Sequence, residues 1–242
     1  MTRTQPARTD ILRAIRRNLD ASAPHDALAA GSQQHGGPLP ILTTTPTPAA
    51  FTDETCGVPR FRQQLEAIGG RCIVVHGEAE AAQALSRIVH EAGARHVASS
   101  GAPLIQRLLQ AAAGDFVSRD IGQLTRAELF ACDAGVTSAQ WGIAETGTLA
   151  LESAREQNRL ASLVPRVHIA ILRAENVCET LGEALERVRS PDASGELASR
   201  AITLITGPSR TSDIELTLVI GVHGPQELHV ILLSDGSPGD TI

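Results

Sequence analysis

The chain has 242 residues, which fits one large domain with appendages and allows roughly 70–75% of the unfolded surface to be buried on folding. With four Phe, one Trp and no Tyr, its core must be built from Ala, Leu, Ile and Val, which favours helices layered on a parallel sheet. The net charge of -6 and the lack of any basic block argue against nucleic-acid binding.

Two further features of the composition exclude cofactor chemistries. All 21 basic residues are arginine, which excludes a Schiff-base lysine and a Walker-type phosphate lysine. The cysteines are widely spaced, so we expect no metal and no cofactor in this chain, and reduced thiols instead. They are Cys56, Cys72, Cys132 and Cys178.

The sequence also predicts location. No apolar run reaches the roughly 18 residues that a membrane span needs. The N-terminus lacks the apolar region of a signal peptide, and its acidic residues argue against a transit peptide. We therefore expect a cytoplasmic protein with no membrane span.

The first fifty residues differ from the rest. Thr9 or Asp10 can cap a short amphipathic helix, and a Pro- and Gly-rich linker follows up to residue 50. Packing of this helix on its own domain or on a neighbouring subunit is favoured over docking of a specific partner. Residues 51–242 are predicted to form the folded domain.

From Val58 onward, helical and strand patterns alternate. A helix is predicted in "FRQQLEAIGG", ending at a glycine pair, and a buried strand in "RCIVVH". Helices then follow in "EAEAAQALSRIVHEAG" and "APLIQRLLQAAAG", and strands in "RHVASS" and "DFVS". This alternation predicts an α/β fold with a parallel sheet.

The second half continues the alternation. "AGVTSAQWGIAETGTLALES" predicts two strands joined by tight turns, "PRVHIAIL" a buried strand, "ENVCETLGEALERVRS" a helix and "RAITLIT" another strand. In open α/β sheets ligands bind beyond the carboxyl ends of the strands. The candidate loops are therefore residues 144–148, 207–213 and 221–225.

The loop "GPSRTSDIE" carries the groups that an anion site needs. Ser209, Arg210 and Thr211 supply two hydroxyls and a guanidinium, and Ser212 or Asp213 can cap a following helical turn. The alternative is a capped turn whose arginine is solvated or paired with a structural acid.

The loop "AETGT" carries one carboxylate among small turn-forming residues. Glu145 can serve as a general base or nucleophile, or it can hold the turn by accepting backbone N–H groups, which is the favoured alternative. Thr146 and Thr148 lie on either side of Gly147. Their hydroxyls have the same two possible roles, which are to cap the backbone of the turn or to bind a ligand.

The loop "GVHGP" places His223 between glycines, where another group can approach closely. A histidine that organises its loop is favoured over an acid/base role for His223, and more strongly for His229. Asn158 and Arg159 either reach the mouth of the same cleft or cap a short helix.

Four motifs together resemble the lactate utilisation (LUD) domain family over about residues 58 to 234. They are "CDAGVTSAQWGIAETGTLALES", "NRLASLVPRVHIAIL", "TGPSRTSDIE" and "GVHGPQELHVILL". The resemblance implies a Rossmann-like α/β fold similar to the superfamily of glucosamine-6-phosphate isomerase, ribose-5-phosphate isomerase and CoA-transferases. It also implies work beside iron–sulfur partner proteins that oxidise L-lactate to pyruvate.

Residue chemistry and resemblance combine in one hypothesis. The three loops form a pocket for a small anion, which is lactate, pyruvate or a phosphate compound. Arg210 neutralises the anion, the Ser and Thr hydroxyls orient it, and Glu145 meets its hydroxyl or carbonyl. Two alternatives remain: a CoA-transferase-like enzyme that uses Glu145, and a scaffold with no ligand.

Overall fold

The computed structural model describes residues 57–153, 156, 159–189, 201–212 and 218–234. The predicted N-terminal helix and linker, the boundary at residue 50 and Asn158 lie outside the described residues. Within the described part of the chain, no helix is long and apolar enough to cross a membrane.

A six-stranded, wholly parallel sheet forms the centre of the domain, in the order β1-β12-β7-β4-β2-β3. Its strands are β1 (Arg71–His76), β2 (His96–Ser99), β3 (Val117–Asp120), β4 (Ala134–Ala139), β7 (Val167–Arg173) and β12 (Glu227–Ser234). Because the strands are parallel, all their carboxyl ends lie at one edge of the sheet. The predicted α/β fold with a parallel sheet is confirmed.

Alternate residues of the central strands pack on opposite faces of the sheet, as the two-residue period of a strand requires. In β7, Ile169 and Ile171 join an apolar cluster with the first two helices that follow β1. Ala170 and Leu172 point the other way and join a cluster with Phe61. The nearly continuous apolar sequence of β7 reflects this burial on both faces.

Five α-helices lie in the described part of the chain. They are α1 (Gly57–Ala67), α2 (Gly77–Glu91), α3 (Pro103–Ala111), α4 (Arg126–Phe130) and α5 (Leu181–Arg189). Helices α2 and α3 cover one face of the central sheet. Helix α1 covers the other face together with a smaller sheet.

The smaller sheet has four strands in the order β8-β5-β6-β9. They are β5 (Trp141–Ile143), β6 (Thr148–Glu152), β8 (Val177–Cys178) and β9 (Ile202–Ile205). A separate hairpin pairs β10 (Arg210–Ser212) with β11 (Leu218–Ile220) in antiparallel register.

Two local predictions differ from the structure. "AGVTSAQWGIAETGTLALES" forms three strands, because the chain leaves the central sheet at Gln140 and starts β5 in the smaller one. The helix predicted from Glu175 begins at Leu181, since residues 177–178 pair with β5 instead. Ser212 ends strand β10, and the helical turn predicted to follow it lies outside the described residues.

Candidate functional site

The "AETGT" turn joins β5 to β6, and its carboxylate bonds to a helix. Glu145 Oε1 accepts the backbone N–H of Leu181 at 2.8 Å, which satisfies a free donor at the first turn of α5. The Glu145 N–H in turn donates to the Glu179 carbonyl at 3.0 Å. The structure thus gives the carboxylate a backbone N–H partner, although the donor is in α5 and outside the turn.

The two threonines of the turn belong to a chain of hydroxyls. Thr146 Oγ1 lies 2.7 Å from Thr148 Oγ1, which lies 2.8 Å from Thr206 Oγ1. Gly147 has a φ of +64°, and a Cβ added there would lie 2.3 Å from the backbone nitrogen of Leu65. The turn is therefore pressed against the C-terminal part of α1, an approach that only glycine permits.

The loop around Arg210 also reaches the end of α1. Arg210 Nη2 donates to the carbonyl of Ile68, and its side chain is exposed. The Ser209 N–H donates to the Pro225 carbonyl at 2.8 Å, which joins this loop to the loop that carries His223. His223 is exposed, and Thr211 is half-buried within β10.

The second and third predicted loops are joined through Ser209 and Pro225. Thr148 of the first loop bonds to Thr206, which immediately precedes the second loop. The eight predicted site residues are Glu145, Thr146, Gly147, Thr148, Ser209, Arg210, Thr211 and His223. None of them lines either of the two clefts described next. Their proposed role in anion binding stays a prediction.

A cleft of about 510 Å³ opens at the carboxyl ends of β2, β4 and β7. We call it the carboxyl-end cleft. Its lining includes Gly101, Pro103, Ser138, Gln140, Arg173 and Asn176. Its volume lies within the range of small-ligand sites, and its position is the one where ligands bind in open α/β sheets.

The walls of the carboxyl-end cleft carry the groups that bind anions. Gly101 and Pro103 place the first turn of the nine-residue helix α3 on the cleft, and the N-terminus of a helix presents free N–H groups. Arg173, at the end of β7, adds a guanidinium, which forms an ion pair with Glu175 at 3.6 Å. The cleft thus combines a positive charge with backbone donors.

A buried carboxyl lies behind Ser138. Glu156 is only 2% exposed, and its Oε1 accepts the Ser138 N–H at 3.0 Å and the Ser138 hydroxyl. No described residue gives a hydrogen bond to Glu156 Oε2, which is also buried. Ser100, at the end of β2, likewise has a buried hydroxyl oxygen that bonds to none of the described groups.

Burial raises the pKa of the Glu156 carboxyl above its ordinary value. The Ser138, Ser100 and Gln140 side chains act in the opposite direction and offset only part of that rise. Ser100 is thus close enough to influence the carboxyl, although its hydroxyl and Oε2 do not meet the geometry of a hydrogen bond. A raised pKa makes this carboxyl easier to protonate than an ordinary surface glutamate.

A second cleft, of about 650 Å³, lies on the other side of Glu156. We call it the side cleft, and its lining includes Glu152, Ser153, Glu156, Arg159 and Thr203. Glu152 is buried, and its Oε1 accepts the indole N–H of Trp141 at 2.9 Å. Asn158 and Arg159 were predicted either to reach a cleft or to cap a short helix. Arg159 is exposed and lines the side cleft.

The sequence reasoning missed Ser100, Ser138, Gln140 and Glu156. For Ser100 a signal was present, since "SSGAP" follows a predicted strand and precedes a predicted helix, as an anion loop does. Glu156 gave none, because its burial depends on hydrogen bonds with Ser138, which lies 18 residues earlier in strand β4. Among the described residues, no cluster of three or more His, Cys, Asp or Glu side chains is arranged to hold a metal ion.

The LUD domain family matches residues 58–233 of the chain. This chain belongs to the LUD domain family. The family assignment made from the four motifs is therefore confirmed. The match contains both clefts, the AETGT turn and the 207–213 and 221–225 loops.

Several bacterial relatives share part of the sequence. "Lactate utilization protein C" of Deinococcus radiodurans is 42% identical over 48% of this chain and 54% of its own length. The "Uncharacterized protein YkgG" of Escherichia coli is 32% identical over 65% of this chain and 71% of its own length. The chain thus spans about half the length of the first of these relatives.

A solved structure has a similar fold. The crystal structure of a DUF162 family protein from Deinococcus radiodurans superposes with a TM-score of 0.53 at 27% sequence identity. The superposition covers 72% of this chain and 94% of the other.

Proposed function

We propose that this LUD domain protein takes part in lactate utilisation and binds a small carboxylate in the carboxyl-end cleft. The lactate role is supported by relatives that bear the name lactate utilization protein C, among them those of Deinococcus radiodurans and Bacillus subtilis. The observation that carries the ligand proposal is the cleft itself, where Arg173 and the N-terminus of α3 face the same space.

The geometry suits a carboxylate of the size of lactate or pyruvate. The two oxygens of such an anion can be met by the Arg173 guanidinium and by N–H groups at the start of α3. Asn176 and Gln140 add amide groups for a neighbouring hydroxyl or carbonyl. A phosphate compound, which is also an anion, is the alternative candidate for the same cleft.

The oxidation of L-lactate to pyruvate is proposed to occur with iron–sulfur partner proteins. The four cysteines of this chain are widely spaced, so its own sequence offers no cluster-binding motif. In this proposal the chain is a subunit that supplies a carboxylate site, and the electron-carrying clusters are in the partners.

Calorimetry on the isolated chain tests the ligand proposal. Titration with L-lactate, pyruvate and inorganic phosphate should give binding that Arg173→Gln weakens at least tenfold, since a paired charge contributes on the order of 1.5–3 kcal/mol. Arg62→Gln removes an arginine that is also ion-paired, to Glu66 at 2.9 Å on α1, and should bind as wild type does. Equal weakening by both variants would contradict the assigned cleft.

A second experiment addresses the partners. A tagged chain isolated from its native host grown on L-lactate should bring down proteins that carry iron and acid-labile sulfide. The same host without this gene should grow poorly on L-lactate and normally on glucose. Normal growth on L-lactate would refute the lactate role.

The acyl-transfer alternative gains no support from a specific observation. It needs Glu145 as a nucleophile, and the structure pairs that carboxylate with the Leu181 N–H. Trapping an acyl adduct on Glu145 with hydroxylamine would establish it.

A further inference from the structure

The hydrogen bonds around Ser138 fix the direction of its single hydroxyl proton. Gln140 Oε1 accepts the Glu152 N–H at 2.6 Å, which identifies the oxygen end of the amide and leaves its nitrogen as a donor. That nitrogen donates to Ser138 Oγ at 3.1 Å. The Ser138 hydroxyl is therefore an acceptor toward Gln140 and donates its proton to Glu156 Oε1.

This arrangement has a consequence for the carboxyl-end cleft, because Ser138 lines it. While Glu156 is ionised, the only hydroxyl proton of Ser138 points at the carboxylate and is not available to an anion in the cleft. When Glu156 is protonated, the acid can donate to Ser138 Oγ instead. Ser138 then accepts two hydrogen bonds, from Gln140 and Glu156, and its own proton is free to turn toward the cleft.

We propose that a small carboxylate binds in the carboxyl-end cleft together with one proton, which Glu156 takes up, and that Ser138 transmits this protonation to the ligand. The inference rests on the proposed carboxylate site and assigns it a proton-linked affinity. No bond other than the O–H bond at Glu156 forms, and the proton comes from solvent. Glu156 acts through Ser138 and is a positioning residue.

Two observations support the coupling. Burial raises the pKa of the Glu156 carboxyl and so favours its neutral form, in a position where it is hydrogen-bonded to Ser138. In addition, an anion in the adjacent cleft disfavours a second negative charge at Glu156.

The charged side chains that the described residues place around this carboxyl are few. Glu152 and Arg159 line the side cleft with it, and Arg173 lines the carboxyl-end cleft on the far side of Ser138. Glu152 is itself engaged with Trp141.

The test is calorimetry of the full chain with L-lactate at several pH values at which lactate is ionised. The affinity should rise as the pH falls, by up to about tenfold per pH unit, as linkage to one proton requires. Titrations in buffers of different ionisation enthalpy should report uptake of up to about one proton per lactate. Infrared difference spectra should show a protonated carboxyl band that appears on binding.

Variants identify the group that takes up the proton. Glu156→Gln carries an amide that can donate to Ser138 permanently, so its affinity should no longer depend on pH and its proton uptake should vanish. Ser138→Ala should weaken binding and remove the pH dependence. Glu91→Gln changes an exposed acid at the end of α2 and should keep the proton uptake of wild type.

The outcomes separate this inference from the proposed function. If wild type binds lactate with an affinity that does not change with pH, or if Glu156→Gln keeps the pH dependence, the proton linkage is wrong and the carboxylate site stands. If no pH value gives binding, both fail. Should Glu156→Gln not fold, the buffer dependence and infrared spectra of wild type still decide the question.

Discussion

His168 makes the stability of this protein sensitive to mild acid. It lies in β7 and is 1% exposed, with Nε2 2.9 Å from Thr137 Oγ1. Its Nδ1 is buried without a partner among the described residues. Burial, assisted by the neighbouring His229, lowers the pKa of His168 from 6.5 to about 3.

The sign and size of the effect follow from linkage. Below about pH 6.5 the unfolded chain binds a proton at this histidine, whereas the folded protein binds none until the pH approaches about 3, so stability falls with pH across that window. One proton corresponds to about 1.4 kcal/mol per pH unit. Between about pH 7 and pH 5, His168 therefore removes about 2 kcal/mol from the free energy of unfolding.

Urea denaturation at the two pH values measures this loss. His168→Gln keeps a polar group near Thr137 and has no titrating ring, so wild type should lose about 2 kcal/mol more than this variant between about pH 7 and pH 5. His90→Gln, at an exposed position of α2, should behave as wild type does. Equal losses in all three proteins would refute the reasoning, as would an NMR titration of folded His168 near pH 6.5.

Three substitutions and one control, Gly77→Ala, test the packing of the domain. Gly147→Ala should lower the free energy of unfolding by more than about 2 kcal/mol, since it combines a positive φ with a clash against the α1 backbone. Gly77→Ala, with a φ of +78° but open space, should lower it by only about 1 kcal/mol, and equal losses would contradict the clash. Glu145→Ala should cost about 1 kcal/mol and speed hydrogen exchange at the Leu181 amide; unchanged exchange would show that this bond stabilises nothing. Gly135→Ala should yield little folded protein, because its Cβ would lie 1.8 Å from a backbone carbonyl oxygen, and a normal yield would contradict that packing.

Periodicity predicted strand β7 well, because this strand is buried on both faces and its apolar run is hard to mistake. It was predicted from "PRVHIAIL" and forms at Val167–Arg173. The local sequence pattern gave a wrong prediction where pairing with a distant strand decides the conformation. Val177 carried the apolar spacing of a helix, yet it extends beside Gly142, which lies 35 residues earlier in the sequence.

The candidate site shows the same limit more sharply. A site was predicted at "AETGT" because a single carboxylate among small residues can be recognised from the local sequence. Glu156 sits among ordinary polar residues in "ESAREQNR", and nothing local distinguishes it. Its burial arises from Ser138 and Ser100, which come from the ends of two strands that neighbour each other only in the folded sheet.

The partners of the two carboxylates also suggest different roles. Glu145 already has a backbone N–H, so ligand binding through it would have to replace the bond to α5. Glu156 keeps one buried oxygen that no described group satisfies, and such a group costs on the order of 1–3 kcal/mol. Protonation removes the charge and reduces that cost. An anion bound in the adjacent cleft favours the protonated form of Glu156. Its binding is strengthened as a result, because protonation relieves a cost that the protein without ligand already bears.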